Sequence, residues 1–219
     1  MELIPLFPLS IVVFPGQPVP LHIFEERYKE MIADCESAPS GEYGPFGISL
    51  ASEGKKVESI GCTVVIDEIG QKYPDGSFDI VGTGRRRYLT RETYGDRAYA
   101  TARVEYFDDD EEEEDTALVS ALGERLSQLA ELVSGSVEGD SAGQPAEPDE
   151  NAIGPQQGSF AIAARSVPDA GKRQQLLEMT SENSRLQFLV DHLDGILPAL
   201  RSRIEEQRRA KSNGKPRLR

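Results

Sequence analysis

The sequence predicts an α+β fold: a closed or nearly closed β-barrel with one short inserted helix, followed by an α-helical subdomain. Three observations carry this expectation. Short β-branched and aromatic runs recur between turn signals through the first 107 residues. One stretch of 3.6-residue apolar periodicity interrupts them early, near residues 24–35. Beyond an acidic run that starts at Asp108, the apolar spacing becomes helical.

The elements follow in order. Ile11, Val12, Val13 and Phe14 form a run closed by Pro15-Gly16, which predicts a strand and a turn. Pro18 and Pro20 flank Val19 before Leu21-His22-Ile23. Proline has no amide donor, so this segment is expected as an edge strand or an extended arm. A helix is expected from Phe24, with Phe24, Tyr28, Met31, Ile32 and Cys35 on its apolar face. Strands are expected at 46–50 and 62–66. A hairpin over 67–80 should turn at Tyr73-Pro74-Asp75-Gly76-Ser77, where proline sets φ and glycine accepts a positive one. Residues 85–89 continue the sheet. In 99–107 the alternation puts Ala100, Ala102, Val104 and Tyr106 on one face, opposite Thr101, Arg103 and Glu105.

The eight carboxylates at 108–115 cannot pack on one another and read as a solvated linker, with an acidic first turn for the helix that follows. A docking strip for basic segments, including the chain's own tail, is a second reading of this run. Weak divalent-cation binding is a third, without a glycine-punctuated loop to fix the geometry. Leu118, Leu122, Leu126, Leu129 and Val133 signal that helix. Residues 134–158 are rich in Gly, Ser, Pro, Glu and Gln and read as a disordered insert. A helix capped by Asp169 and carrying Leu176, Leu177 and Met179 should follow. The last helix begins near Ser181, with Leu186, Leu189, Val190, Leu193, Ile196 and Leu197 on its apolar face. The expected division is a barrel at 1–107, a linker at 108–115, a helical part at 116–204 and a basic tail at 205–219.

Composition limits the function. The formal charge of −14 on 219 residues opposes general nucleic-acid binding. Residues 201–219 carry eight basic and two acidic side chains, a net of +6, which leaves −20 on the rest. Cys35 and Cys62 have no CxxC spacing and read as reduced, buried thiols of a cytoplasmic chain. No run approaches the ~20 apolar residues of a membrane span, so no membrane partner is expected.

Pro5-Leu6-Phe7-Pro8-Leu9, Phe14-Pro15-Gly16, Pro20-Leu21-His22-Ile23-Phe24-Glu25 and Arg27-Tyr28 resemble the N-terminal substrate-binding domain of Lon proteases. The likeness continues in Phe46-Gly47-Ile48, Ile60-Gly61-Cys62-Thr63, residues 74–80 and Gly84-Arg85-Arg86-Arg87-Tyr88, and more loosely in the later helices. It implies a PUA-like barrel with a helical subdomain and a role in engaging other polypeptides, usually unfolded or tagged ones; the expected partners are unfolded or extended polypeptide segments, with a cellular protease as a further candidate. The sequence shows no GxxxxGK[ST] loop for ATP phosphates and no room for ATPase and peptidase domains, so a standalone, non-enzymatic copy of the binding domain is expected. The alternatives are an RNA- or small-molecule-binding PUA-like module, or an adaptor that docks on a protease.

No catalytic, cofactor-binding or metal-ligating set emerges. His22 and His192, the two histidines, fall in different halves, and neither has a carboxylate cluster at ligand spacing. Ser10, Ser49 and Ser77 have no readable base. Gly82-Thr83-Gly84 lacks the third glycine of a dinucleotide fingerprint. Arg85 and Arg87 should share one strand face, with Arg86 turned away. They either grip an anionic group or pair with local carboxylates such as Glu25, Glu26 or Asp67. The candidate polypeptide contacts are Tyr43, Phe46, Tyr73, Arg85 and Arg87, and the unpaired backbone of residues 18–23 is a further candidate for strand addition.

Overall fold

The computed structural model describes residues 1–36, 43–51, 57–137 and 158–213. Its elements are β1 (Glu2–Leu9), β2 (Pro18–Ile23), α1 (Glu26–Glu36), β3 (Phe46–Leu50), β4 (Ile60–Lys72), β5 (Phe78–Tyr94), β6 (Ala100–Tyr106), α2 (Thr116–Val137), α3 (Gly158–Ser166), α4 (Ala170–Glu178) and α5 (Glu182–Asn213). Two compact units result: Met1–Glu111 with Phe160–Thr180, and Glu112–Ser159 with Ser181–Arg219. Residues 160–180 therefore group with the sheet, not with the other helices as expected.

In the first unit the strand order is β2-β5-β4-β3-β1-β6, and β6 also pairs with β5, which closes five strands into a barrel with β2 outside. Its core is apolar: Ile4, Leu6, Tyr88, Ala102 and Val104 pack together, and Ala100 and Tyr106 lie against them as the alternation predicts. β1 lies earlier than expected, because Pro5 and Pro8 do not break it. Pro5 falls where β1 pairs only with β6, and Pro8 where it pairs only with β3. Each donor-less nitrogen can face the unpaired side. Val12, Val13 and Phe14 are buried but form no strand. Their backbone is satisfied by side chains instead: Arg173 donates to the Val12 carbonyl at 2.9 Å, and the Phe14 amide donates to Gln17 at 3.1 Å. Gly84 admits this loop, since a Cβ there would lie 2.1 Å from the Phe14 carbonyl oxygen.

The hairpin forms as predicted. The Tyr73 amide donates to the Ser77 carbonyl, Gly76 takes φ +80°, and Asp75 accepts from the Ser77 amide and hydroxyl. α1 starts after Phe24, which is 62% exposed, while Tyr28, Met31, Ile32 and Cys35 are buried. Asp169 caps α4 as expected, accepting from the Lys172 amide at 2.8 Å. α3 was not legible, being nine residues on the flank of the polar stretch.

The second unit is built on α2 and α5. Asp115 caps α2 by accepting from Ala117 and Leu118 amides, and Ser181 accepts from the Ser184 amide at the start of α5. α2 runs to Val137, past the expected start of the insert at 134. Residues 138–157 of that insert lie outside the described residues, as do 214–219 of the tail. Leu122 and Leu126 are buried as read, whereas Val133 is 56% exposed. Arg185 is buried and held by Ser159 and Glu182.

The acidic run is not a bare spacer. Within the first unit Asp108 pairs with Arg86, Asp109 with Arg87, and Asp110 accepts from the Thr180 hydroxyl. Within the second, Glu112 accepts from the Ser181 hydroxyl and the Asn183 amide, a carboxylate set at the positive end of α5.

Candidate functional site

In the first unit α1 and the β4–β5 hairpin enclose a groove of about 380 Å³, at the small end of ligand pockets. Lys29, Ile32, Ala33 and Glu36 form the helix wall, a stripe at helical spacing. Ile69 and Lys72 from β4, Tyr73, Gly76 and Ser77 from the turn, and Phe78 from β5 form the other. Lys29 is tied to Glu26 at 2.7 Å, while among the described residues Lys72 has no ion-pair partner.

An aromatic platform adjoins the groove through Tyr73. The Tyr73 hydroxyl donates to Asp79 at 2.7 Å, and His22 contacts the other oxygen of that carboxylate at 2.7 Å. His22 lies edge-on to Tyr73 at 5.4 Å and stacks with exposed Phe24 at 6.1 Å. The hydrogen bonds from His22 and Tyr73 hold the Asp79 carboxyl below the usual carboxylate range, and the same bond to Asp79 pushes the Tyr73 phenol up. His22 and Asp79 face each other across β2 and β5 because they are register partners.

Of the predicted contacts, Tyr73 lines the groove, and half-buried Tyr43 lies near Glu36 on its wall, where burial and then that carboxylate push its phenol up. Phe46 is a correction: it is 0% exposed and packs against Phe7 in the core. Arg87 is another. It is buried, lies over the Phe107 ring at 4.5 Å, and donates to the Leu177 and Met179 carbonyls and to Asp109. Arg85 stays exposed and pairs with Asp67 at 3.3 Å. The two arginines part because Cys62 pairs with Arg87 while Val64 pairs with Gly84, a bulge in β5 that breaks the alternation.

Strand addition at β2 is also corrected. The Gln17 carbonyl accepts from the Gly84 amide, so residues 17, 19, 21 and 23 point toward β5. Pro18 and Pro20 then occupy the outward positions, where an added strand would need amide donors. The edge is blunted.

Burial pushes the Cys35 thiol up to about 11 and Cys62 up to about 12, away from thiolate reactivity. Ser77 is committed to Asp75, and Ser49 to the Tyr88 hydroxyl. Among the described residues no three His, Cys, Asp or Glu side chains are grouped to hold a metal ion, and no helix is long and apolar enough to cross a membrane.

A closed barrel with a small apolar groove and an exposed aromatic rim is the frame of a binding module. Residues 3–195 match the ATP-dependent protease La (LON) substrate-binding domain, and the chain belongs to that family. Its fold is similar to that of a Lon N-terminal domain protein from Xanthomonas campestris, at 23% identity and a TM-score of 0.61, covering 87% of this chain and 98% of that one. It is also similar to the N-terminal domain of a Mycobacterium avium complex Lon protease, at 19% identity and a TM-score of 0.63, covering 88% and 98%.

Proposed function

We propose that this chain is a non-enzymatic module that binds unfolded or extended polypeptide segments, seating one apolar side chain of the segment in the α1–hairpin groove. The observation that carries the reading is the continuity of the Phe24–His22–Tyr73 platform with the groove, Tyr73 belonging to both. Ile32, Ala33, Ile69 and Phe78 supply apolar surface, and the platform offers a face for the flanking residues. The groove is too small for a folded partner, which suits capture of single exposed side chains.

Titration of a labelled, permanently unfolded polypeptide, followed by fluorescence anisotropy, tests this. Saturable binding is expected, weakened about tenfold in the Phe24→Ala, Tyr73→Ala double variant, as for loss of an aromatic anchor. Absence of saturable binding would sink the reading, and binding indifferent to both substitutions would remove the groove from it.

A further inference from the structure

β1 pairs with a different neighbour over each part of its length. Residues 2–6 pair with β6, and residues 6–9 pair with β3. The Leu9 carbonyl accepts from the Ala51 amide at 2.7 Å, on the β3 side, and main-chain groups alternate in direction along a strand. Residues 7, 5 and 3 therefore turn their main-chain groups the same way, the side to which the donor-less Pro5 nitrogen points.

Opposite Leu3 that side has no strand. β3 begins at Phe46, and its register continued upstream would set Gly44 beside Leu3. Two features stop it there. Pro45 has no amide hydrogen for the Leu3 carbonyl, and the Gly44 amide turns away to donate to the Cys35 carbonyl at 2.8 Å. Among the described residues nothing takes the Leu3 amide or carbonyl on this side, and Leu3 is 59% exposed.

The gap is a cavity of about 250 Å³, below the size range of small-molecule sites. Leu3, Pro5 and Thr101 line it from one sheet face, since Pro5 and Thr101 are register partners. Asp34 and Cys35 of α1, with Gly44 and Pro45, complete the lining. Its charges hold one another: Arg97 pairs with Asp34 at 2.7 Å, and the Tyr99 hydroxyl donates to the same carboxylate. The stretch Glu2–Pro5 is about 10 Å long at ~3.3 Å per residue, room for a few residues of extended chain. Open main-chain groups beside paired charges suit the backbone of a polypeptide, not a charged ligand.

We propose that the open edge at Leu3 is a strand-addition site for an extended polypeptide segment. One residue of the segment exchanges two hydrogen bonds with Leu3, and its side chain lies in the cavity on the face of Leu3 and Pro5. Recognition through the main chain makes this site tolerant of sequence. The proposal rests on the reading that the partner is extended polypeptide, and it adds a second grip within the same unit. Ala33 and Glu36 of α1 line the groove, while Asp34 and Cys35 line this cavity. β2, whose outward positions are prolines, offers no such edge.

Amide exchange by NMR, with fluorescence anisotropy, tests this on the full chain. The probes are a labelled ten-residue peptide, one phenylalanine among valine, serine and glutamine, and a copy of it N-methylated at every residue. In the free chain the Leu3 amide should exchange fast. Saturating peptide should slow it about tenfold or more, and should do so in the Phe24→Ala, Tyr73→Ala variant as well. The N-methylated copy should bind the wild-type chain about fivefold more weakly, as for a lost hydrogen bond. Leu3→Pro should weaken the parent peptide to a similar degree, because it removes the outward donor and keeps the β1–β6 ladder, as Pro5 does. A peptide that binds while the Leu3 amide stays fast, and binds Leu3→Pro equally well, overturns this site and leaves the groove reading standing. A Leu3 amide already protected in the free chain also overturns it. No saturable binding of any peptide or unfolded polypeptide overturns both.

Discussion

Arg87 is a charged side chain only 3% exposed, and its surroundings explain how that is tolerated. Two carbonyls at the end of α4 and the Asp109 carboxylate take its donors, while Phe107 and Phe160 cover its guanidinium plane. Arg87→Met would strip these acceptors of their donors, and a loss of about 3–5 kcal/mol is expected by urea unfolding, as for a broken buried pair. A loss below about 1 kcal/mol would mean that water replaces the guanidinium at no cost. Asp75 and Asp79 carry a different consequence. Both carboxyls are held below their ordinary value by hydrogen bonds, from Ser77 in one case and from His22 and Tyr73 in the other. A depressed carboxyl stabilises the fold above its unfolded pKa of about 3.9, and that support fades as pH falls through the lower folded value. Amides of the 73–77 turn should therefore lose exchange protection below about pH 4 and hold it from pH 5 to 8. An Asp79 carboxyl titrating at or above 3.9 by NMR would contradict this.

At the scale of elements, local chemistry was legible and pairing was not. The hairpin turn, the Asp169 cap and the Tyr28–Met31–Ile32–Cys35 face follow from neighbours in sequence, and each is where the pattern puts it. β1 was not legible: Pro5 and Pro8 interrupt its sequence pattern, and they are tolerated because each falls where the strand pairs on one side only, which the partner strands decide. The Arg85/Arg87 pairing failed because a bulge depends on the partner strand, which local alternation cannot report. The groove was half legible: Tyr73 announced itself in a turn, but Ile32 and Ile69 meet only through packing of distant segments. β2 allows a direct check on its prolines. Pro18→Thr with Pro20→Val supplies two outward amide donors and a β-branched edge. Wild-type chain should show no strand-mediated association, and the variant should form higher oligomers with added β-signal by infrared spectroscopy. An unchanged variant would mean that the prolines are not what guards this edge.

For the whole molecule the governing quantity is the charge of −14, which sequence alone supplies but whose effect depends on how the charges are held. Exposed pairs such as Arg91–Glu105 and Arg85–Asp67 are worth about 0–1 kcal/mol each and are screened by salt. The Arg87–Asp109 and Arg185–Glu182 pairs each have one nearly buried partner and are screened much less. Added salt therefore weakens contacts that contribute little, and relieves the net repulsion of an excess of fourteen negative charges. The second effect should win. In dilute solution, where any self-association is absent, the thermal midpoint should rise by about 2–4 °C between 0.02 and 0.3 M NaCl, equivalent to about 1 kcal/mol for a chain of this size. Sodium chloride and potassium chloride should act alike, since screening depends on ionic strength alone. A falling midpoint would show that the surface pairs outweigh the net charge, and that the arginines on this acidic chain are structural across its whole surface.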